Sequence, residues 1–319
     1  MKYFFFSLLF CFVMPSLAAA QFVPNQPNVS ISTSPLTPEP NELVQVNLNA
    51  YTIDTTGATI IWFVDGVENT AARNLRTFSL TSKGLGETTD ISVRITQRTG
   101  QTINANTTIR PAQLDIVLEA NTMTPGFYKG RPLLTVGSQA RAVAIPDLGD
   151  TRRPEDFTYF WKLNNEPLYG GPVTGRNFAA FTLGLGRNQI LTVDALDSNG
   201  TLVAKKSIGL PLVEPEIHFY PLNPLRGISP RVLESPVPLI GNEVTVRAEP
   251  YYMNRDILEQ SPLLEWKINN QTVTSDPQNP LELTLRRNSD LSGTAEIEFH
   301  IRNMNQLVQG VRESFQISF

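Results

Sequence analysis

His218 and His300 are the only histidines and Cys11 the only cysteine among 319 residues. The side chains that carry most acid–base, thiol and zinc chemistry at neutral pH are therefore scarce. Both histidines fall in predicted strands, His218 in Glu216-Ile217-His218-Phe219 and His300 in Ile297-Glu298-Phe299-His300-Ile301, and each reads as an ordinary member of the alternation. Oxygen ligands are better supplied. Asp194, Asp197 and Asn199 ahead of Gly200 are spaced as a cation loop could be, and calcium is one reading of them. Calcium takes about six to eight oxygens, however, and an ordinary Asn-Gly hairpin turn is the other reading. Acidic pairs such as Asp147 with Asp150 read as solvated loop charges, and paired-carboxylate glycoside chemistry needs a cleft around them. No Gly-x-Ser-x-Gly, His-Glu-x-x-His or P-loop spacing occurs, and Gly84-Leu85-Gly86 and Gly184-Leu185-Gly186 do not open phosphate-cradling helices. The residues assign no catalytic group, cofactor or metal, and the expected function is non-enzymatic.

The elements that must position these residues begin after a leader. Lys2, an apolar run from Tyr3 to Met14 and the small-residue stretch Leu17-Ala18-Ala19-Ala20-Gln21 have the layout of a secretory signal peptide over 1–20, cleaved after Ala20. The run is too short to span a membrane, which takes about 20 residues. Cys11 lies inside it and leaves with it. A mature chain without cysteine, in an extracytoplasmic compartment, points to a bacterial source. No later stretch is apolar enough for a transmembrane segment. The expected location is secreted, periplasmic or cell-surface. A net charge of −4 without clustered Lys and Arg argues against a nucleic-acid partner.

Trp62, Trp161 and Trp266, the only tryptophans, lie 99 and 105 residues apart in matching frames: Trp62-Phe63-Val64-Asp65-Gly66, Trp161-Lys162-Leu163-Asn164-Asn165 and Trp266-Lys267-Ile268-Asn269-Asn270. Each frame is a strand that ends in a tight turn, because Asp-Gly and Asn-Asn tolerate the positive φ of two-residue hairpins. Alternating strands precede the frames at Leu43–Leu48, Gln139–Ala144 and Asn242–Ala248. Others follow at Ile91–Ile95, Ile190–Ala195 and Ile297–Ile301. About seven short strands per copy, with turns between them and no useful 3.6-residue period, predict an all-β chain of three tandem sandwiches arranged as a rod. The three tryptophans are expected in the cores.

The Trp-x-x-(Asp/Asn)-(Gly/Asn) frames, with Leu191-Thr192-Val193-Asp194-Ala195-Leu196-Asp197-Ser198-Asn199-Gly200, resemble bacterial immunoglobulin-like and PKD-type domains. The resemblance covers the mature chain as domains 24–111, 112–213 and 214–319, and implies an adhesion, spacing or assembly module. The Asn-Asn turns depart from the PKD pattern.

A protein or glycan of the cell envelope is the expected partner. Candidate binding loops are the charged segment Pro146–Asp156 and the insertion Leu225–Pro236. A carbohydrate-binding accessory protein is the alternative and would use an exposed aromatic platform such as Tyr251-Tyr252 or Tyr169. An extracellular hydrolase is the weaker alternative. The sequons at Asn28, Asn106, Asn199 and Asn270 would carry glycans in a eukaryote. The terminal alternation Phe315-Gln316-Ile317-Ser318-Phe319 reads as the closing strand of the third sandwich or, if its edge stays open, as a strand that adds to a partner sheet through Phe315, Ile317 and Phe319.

Overall fold

The computed structural model describes residues 29–51, 53, 55–287, 292–306 and 308–319. The expected signal peptide and the sequon at Asn28 lie outside them. The described chain is almost entirely strand. Helix among the described residues is confined to three single 3-10 turns, at Thr70–Ala72, Pro154–Asp156 and Ile257–Gln260.

The first repeat contains β1 (Val29–Ser34), β2 (Leu43–Ala50), β3 (Thr59–Val64), β4 (Val67–Glu68), β5 (Thr77–Thr81), β6 (Thr89–Thr96) and β7 (Thr102–Ile109). The second contains β8 (Gln113–Ala120), β9 (Gln139–Asp147), β10 (Thr158–Leu163), β11 (Glu166–Pro167), β12 (Val173–Thr174), β13 (Phe178–Thr182), β14 (Gln189–Leu196) and β15 (Leu202–Leu210). The third contains β16 (Glu216–Asn223), β17 (Gly227–Ile228), β18 (Val237–Pro238), β19 (Glu243–Tyr251), β20 (Leu263–Ile268), β21 (Gln271–Val273), β22 (Glu282–Arg286), β23 (Thr294–Arg302) and β24 (Gly310–Ser318). Two sheets form in each repeat: β1-β2-β5 with β4-β3-β6-β7, β13-β9-β8 with β11-β10-β14-β15, and β17-β16-β19-β22 with β18-β24-β23-β20-β21. This is a tandem array of immunoglobulin-like sandwiches.

The chain divides into two compact units. One is built from the described residues up to Thr33 with Gln45–Ser79 and Asp90–Thr108, the other from Ser34–Val44, Leu80–Thr89 and Ile109–Phe319. Two large apolar cores lie in the second unit, one drawn from 112–210 and one from 217–317.

The Trp frame does the same structural work three times. Each Trp is fully buried on an interior strand, opposite the middle of its neighbour: Trp62 faces Val93, Trp161 faces Val193 and Trp266 faces Phe299. Each indole N–H donates to a backbone carbonyl downstream, to Leu75 at 2.9 Å, Arg176 at 3.1 Å and Pro280 at 3.0 Å. A buried donor is thereby satisfied while the ring fills the space between sheets. The turn residues all have positive φ: Asp65 and Gly66 at 50° and 79°, Asn164 and Asn165 at 51° and 68°, Asn269 and Asn270 at 48° and 65°. That is the geometry of type I′ hairpins.

The Asp or Asn has a second task. Its Oδ1 accepts the backbone N–H at or just before the start of the next long strand's core, Asp90 to Asp65 at 3.0 Å, Ile190 to Asn164 at 2.9 Å and Glu296 to Asn269 at 2.9 Å. The recurring residue is thus an acceptor that pins one hairpin to the strand beside it.

The terminal strand does not behave as an open edge. β24 pairs with β23 along its whole length and with β18 on its other side. Phe315 and Ile317 are 4% and 3% exposed in the third core, and Phe319 packs against that core. Their apolar face is consumed internally, which corrects the reading of Phe315, Ile317 and Phe319 as a partner strand.

Candidate functional site

The residues singled out for chemistry do not converge. His218 lies on β16 and His300 on β23, in opposite sheets of the third repeat. His218 pairs with Glu216 at 3.0 Å and meets the Tyr251 ring edge-on. Burial, then the Arg312 charge, holds the His300 imidazole below the usual histidine range. Asp194 is 8% exposed and paired with Lys162 at 2.7 Å, with Lys205 3.4 Å from its other oxygen. Asp197 Oδ1 accepts the N–H groups of Asn199 and Thr201, both at 2.9 Å. One carboxylate is neutralised by lysines and the other closes a hairpin, so Asp194, Asp197 and Asn199 form a strand and a turn and not a calcium loop.

Both candidate loops are also engaged internally. In the 146–156 segment Arg152 forks onto Asp150 at 2.8 and 2.6 Å, which holds the Asp150 carboxyl below the usual range. Asp156 accepts the Arg153 N–H. The 225–236 insertion contributes β17, and Leu233 turns into the third core with its N–H on Phe219 O at 2.8 Å. Tyr251 and Tyr252 are 4% and 7% exposed, and the Tyr169 ring lies beneath the Arg176 guanidinium at 4.4 Å. Neither offers a free stacking face, which corrects the platform expectation.

What the sequence reading missed is the place where the second and third repeats join, inside the second compact unit. The connection between β8 and β9 runs from 121 to 138, and its first residues pair with a loop of the third repeat. Met123 N–H donates to Met253 O at 2.8 Å, Tyr252 N–H to Met123 O at 2.9 Å and Arg255 N–H to Asn121 O at 3.2 Å. Behind this ladder sits a buried polar network. Asn254, 2% exposed, receives the Gln139 N–H on Oδ1 and donates its amide to Gln306 Oε1 at 2.9 Å and Gly137 O at 3.3 Å. Gln309, fully buried, accepts the Asn254 N–H at 2.9 Å and donates to Thr135 Oγ1 at 3.0 Å and Val136 O at 2.7 Å. The Thr135 hydroxyl donates in turn to Tyr252 O at 2.9 Å.

An aromatic layer closes the other side. Tyr220 and Tyr251 share a hydroxyl bond of 2.7 Å, Tyr128 and Tyr252 one of 3.0 Å, and Phe127 meets Tyr220 edge-on. Burial, then the Tyr128 hydroxyl, pushes the Tyr252 phenol up to about 12. Gly137 completes the fit: its φ is +78°, and a Cβ there would stand 2.9 Å from Val308 Cγ2.

Every polar group of this network has a partner in the other repeat or within its own loop, and a satisfied buried network specifies a single arrangement. A sequence signal existed. Ala120 and Gln139 are separated by 18 residues without regular structure, longer than most connections of a compact domain.

Beside this junction opens a groove of about 590 Å³, where the outward face of β8, β9 and β13 meets Arg255. No helix among the described residues is long and apolar enough to cross a membrane.

No protein family's sequence profile and no curated protein sequence matches the chain. Among solved structures it is similar to fibronectin(III)-like modules of Clostridium thermocellum CbhA, at 9% identity over 57% of this chain and 93% of that one, with a TM-score of 0.25. It is similar to the central fibronectin-III array of RIM-binding protein, at 12% identity over 88% and 94%, with a TM-score of 0.29. It is also similar to the Bacteroides ovatus protein SGBP-B, solved with a mixed-linkage heptasaccharide, at 12% identity over 94% and 68%, with a TM-score of 0.22. At these scores nothing about ligand or activity passes from them to this chain.

Proposed function

We propose that the chain is a non-enzymatic, extracytoplasmic module of the bacterial immunoglobulin-like, PKD-related kind that holds its partners in the cell envelope at a set spacing. Its domains are 24–111, 112–213 and 214–319, delivered by a signal peptide removed after Ala20. The observation that carries this reading is the junction at Asn254 and Gln309. A chain that commits fully buried amides to fixing one repeat against the next is built to transmit position. The reactive side chains fit the same use, because Asp194, Asp197, His218 and the charged loops are each engaged in holding strands and turns.

The test is made in the native host. Envelope fractionation with intact-mass measurement is expected to place the chain outside the cytoplasm with Gln21 as its first residue. An uncut chain in the cytoplasm overturns the reading.

A further inference from the structure

The groove beside the junction gathers charged side chains that no ion pair neutralises. Arg141 sits on β9 between Glu119 of β8 and Ala180 of β13 in the register of that sheet. Ala180 presents only a methyl group, so no bulky neighbour covers the guanidinium from that side. Arg255 reaches the same groove from the third repeat, its backbone fixed by the bond to Asn121 O and by the buried Asn254 before it. Some other guanidiniums are matched internally, as in Arg247 with Glu249 and Glu282 or Arg152 with Asp150. Among the described residues Arg141, Arg255 and Glu119 have no ion-pair partner, Glu119 included although it faces Arg141 across the ladder. Two cations and one anion give the groove a positive excess on a chain of net charge −4.

The rest of the lining is suited to hydroxyl groups. Asn121 donates its amide to Gln139 Oε1 at 3.2 Å, which orients both amides and leaves Asn121 Oδ1 and the Gln139 NH2 to face a ligand, beside the Thr182 hydroxyl. The volume is within the roughly 300–1,000 Å³ of ligand clefts. A peptide strand is poorly served. The adjoining edge of β13 is capped where Tyr169 OH receives the Ala180 N–H at 2.9 Å, and the apolar lining is Ala120, Ala140, Ala180 and the buried Phe181, with no large exposed apolar side chain to anchor a peptide.

We propose that this groove binds a carboxylated saccharide, an oligouronate segment whose carboxylate is taken by Arg141 and Arg255 and whose hydroxyls are read by Asn121, Gln139, Thr182 and Glu119. Guanidinium pairs carboxylate through two parallel hydrogen bonds, which a neutral sugar cannot offer. Because Arg255 comes from the third repeat and Arg141 from the second, the site exists only while the junction is closed. The inference takes the extracytoplasmic reading as the setting in which the ligand is met.

The test is calorimetric or NMR titration of the purified 21–319 chain with trigalacturonate, with maltotriose as the neutral trisaccharide and an Asp-rich peptide as the acidic polymer of another class. Trigalacturonate is expected to bind at least tenfold tighter than either. Arg141→Ala and Arg255→Ala should each weaken it about tenfold or more, the scale of a charged hydrogen-bond pair. Glu119→Gln should tighten it severalfold. All three side chains are exposed, so folding is checked by an unchanged Tm. Equal affinity for maltotriose, tighter binding of the peptide, no binding of trigalacturonate at millimolar concentration, or indifference to both arginine variants overturns the proposal. Binding in solution does not depend on cellular location, so this result and the fractionation result fail independently.

Discussion

Asn164 illustrates how much one residue is asked to do. It holds a positive φ in a two-residue turn and accepts the Ile190 N–H at 2.9 Å. The two roles separate by substitution. Asn164→Gly keeps the backbone freedom and loses the acceptor, at a cost of about 1 kcal/mol, whereas Asn164→Ala also strains the turn and should cost about 1 kcal/mol more. Urea unfolding read at Trp161, three residues away, checks the order wild type, Gly, Ala. Trp266 is the parallel case in the core. Trp266→Phe removes ring volume and leaves the Pro280 carbonyl without its donor at 3.0 Å, and a loss of about 2–4 kcal/mol is expected in the same measurement on the third repeat. Both residues were legible in the sequence, since the threefold recurrence of the frame marks them and a single copy would not have done so. The acceptor role of the Asp or Asn was not, because its partner lies 25 to 27 residues away along the chain.

Strands follow the period-two pattern closely, and the exceptions are informative. In β14 two adjacent apolar residues, Ile190 and Leu191, follow the opening Gln189, and pattern alone does not say which turns inward. The pairing resolves it: Leu191, Val193 and Ala195 are buried, and Ile190 is left half exposed. A one-residue slip would reverse every side chain of the strand. Edges are the other exception. β13 ends its sheet, yet Tyr169 OH closes its Ala180 N–H, so part of the row of backbone groups that could template association is covered. Tyr169→Phe keeps the ring under Arg176 and releases that N–H. The expected outcome is a stability loss near 1 kcal/mol and greater concentration-dependent self-association, read by sedimentation velocity. A lone tyrosine after a hairpin carries no sequence mark of such a role.

At the scale of the molecule the junction decides behaviour. Gln309→Ala removes two donor bonds and one acceptor from a fully buried site, taking the partner from Val136 O and from the Asn254 N–H while Thr135 keeps its bond to Tyr252 O. Each repeat keeps its own core, so the expected effect is local opening. Proteolysis should become faster within 121–138, with the Trp161 and Trp266 unfolding midpoints little changed. The aromatic side of the junction predicts a pH dependence. Burial raises the Tyr252 phenol to about 12, above the value of about 10 it has in an unfolded chain. Burial and the Tyr220 hydroxyl raise Tyr251 in the same direction. A raised acid favours the folded state while neutral, so this stabilisation is complete below about pH 10 and is lost as pH climbs from there through 12. Tyrosinate absorbance should show a class ionising near pH 12. In Tyr128→Phe that class should move down, because the Tyr128 hydroxyl is one of its causes after burial, and thermal stability between pH 10 and 12 should fall with it.

The sequence by itself determined the all-β class, the threefold repeat, the buried tryptophans and the positive-φ turns. Each of these is written in residues a few positions apart, in alternation and in dipeptides such as Asp65-Gly66. Only the tertiary structure decided what the polar residues do. Asn254, Gln309 and Thr135 carry no local mark of burial, and Tyr251-Tyr252, offered as an exposed platform, turn inward only with their tertiary partners. Whether a polar group is free or spent depends on partners more than fifty residues distant, as with Asn254 and Gln309 or Thr135 and Gln309. Burial of an amide is tolerable only when such a partner arrives, and no local pattern records that it does.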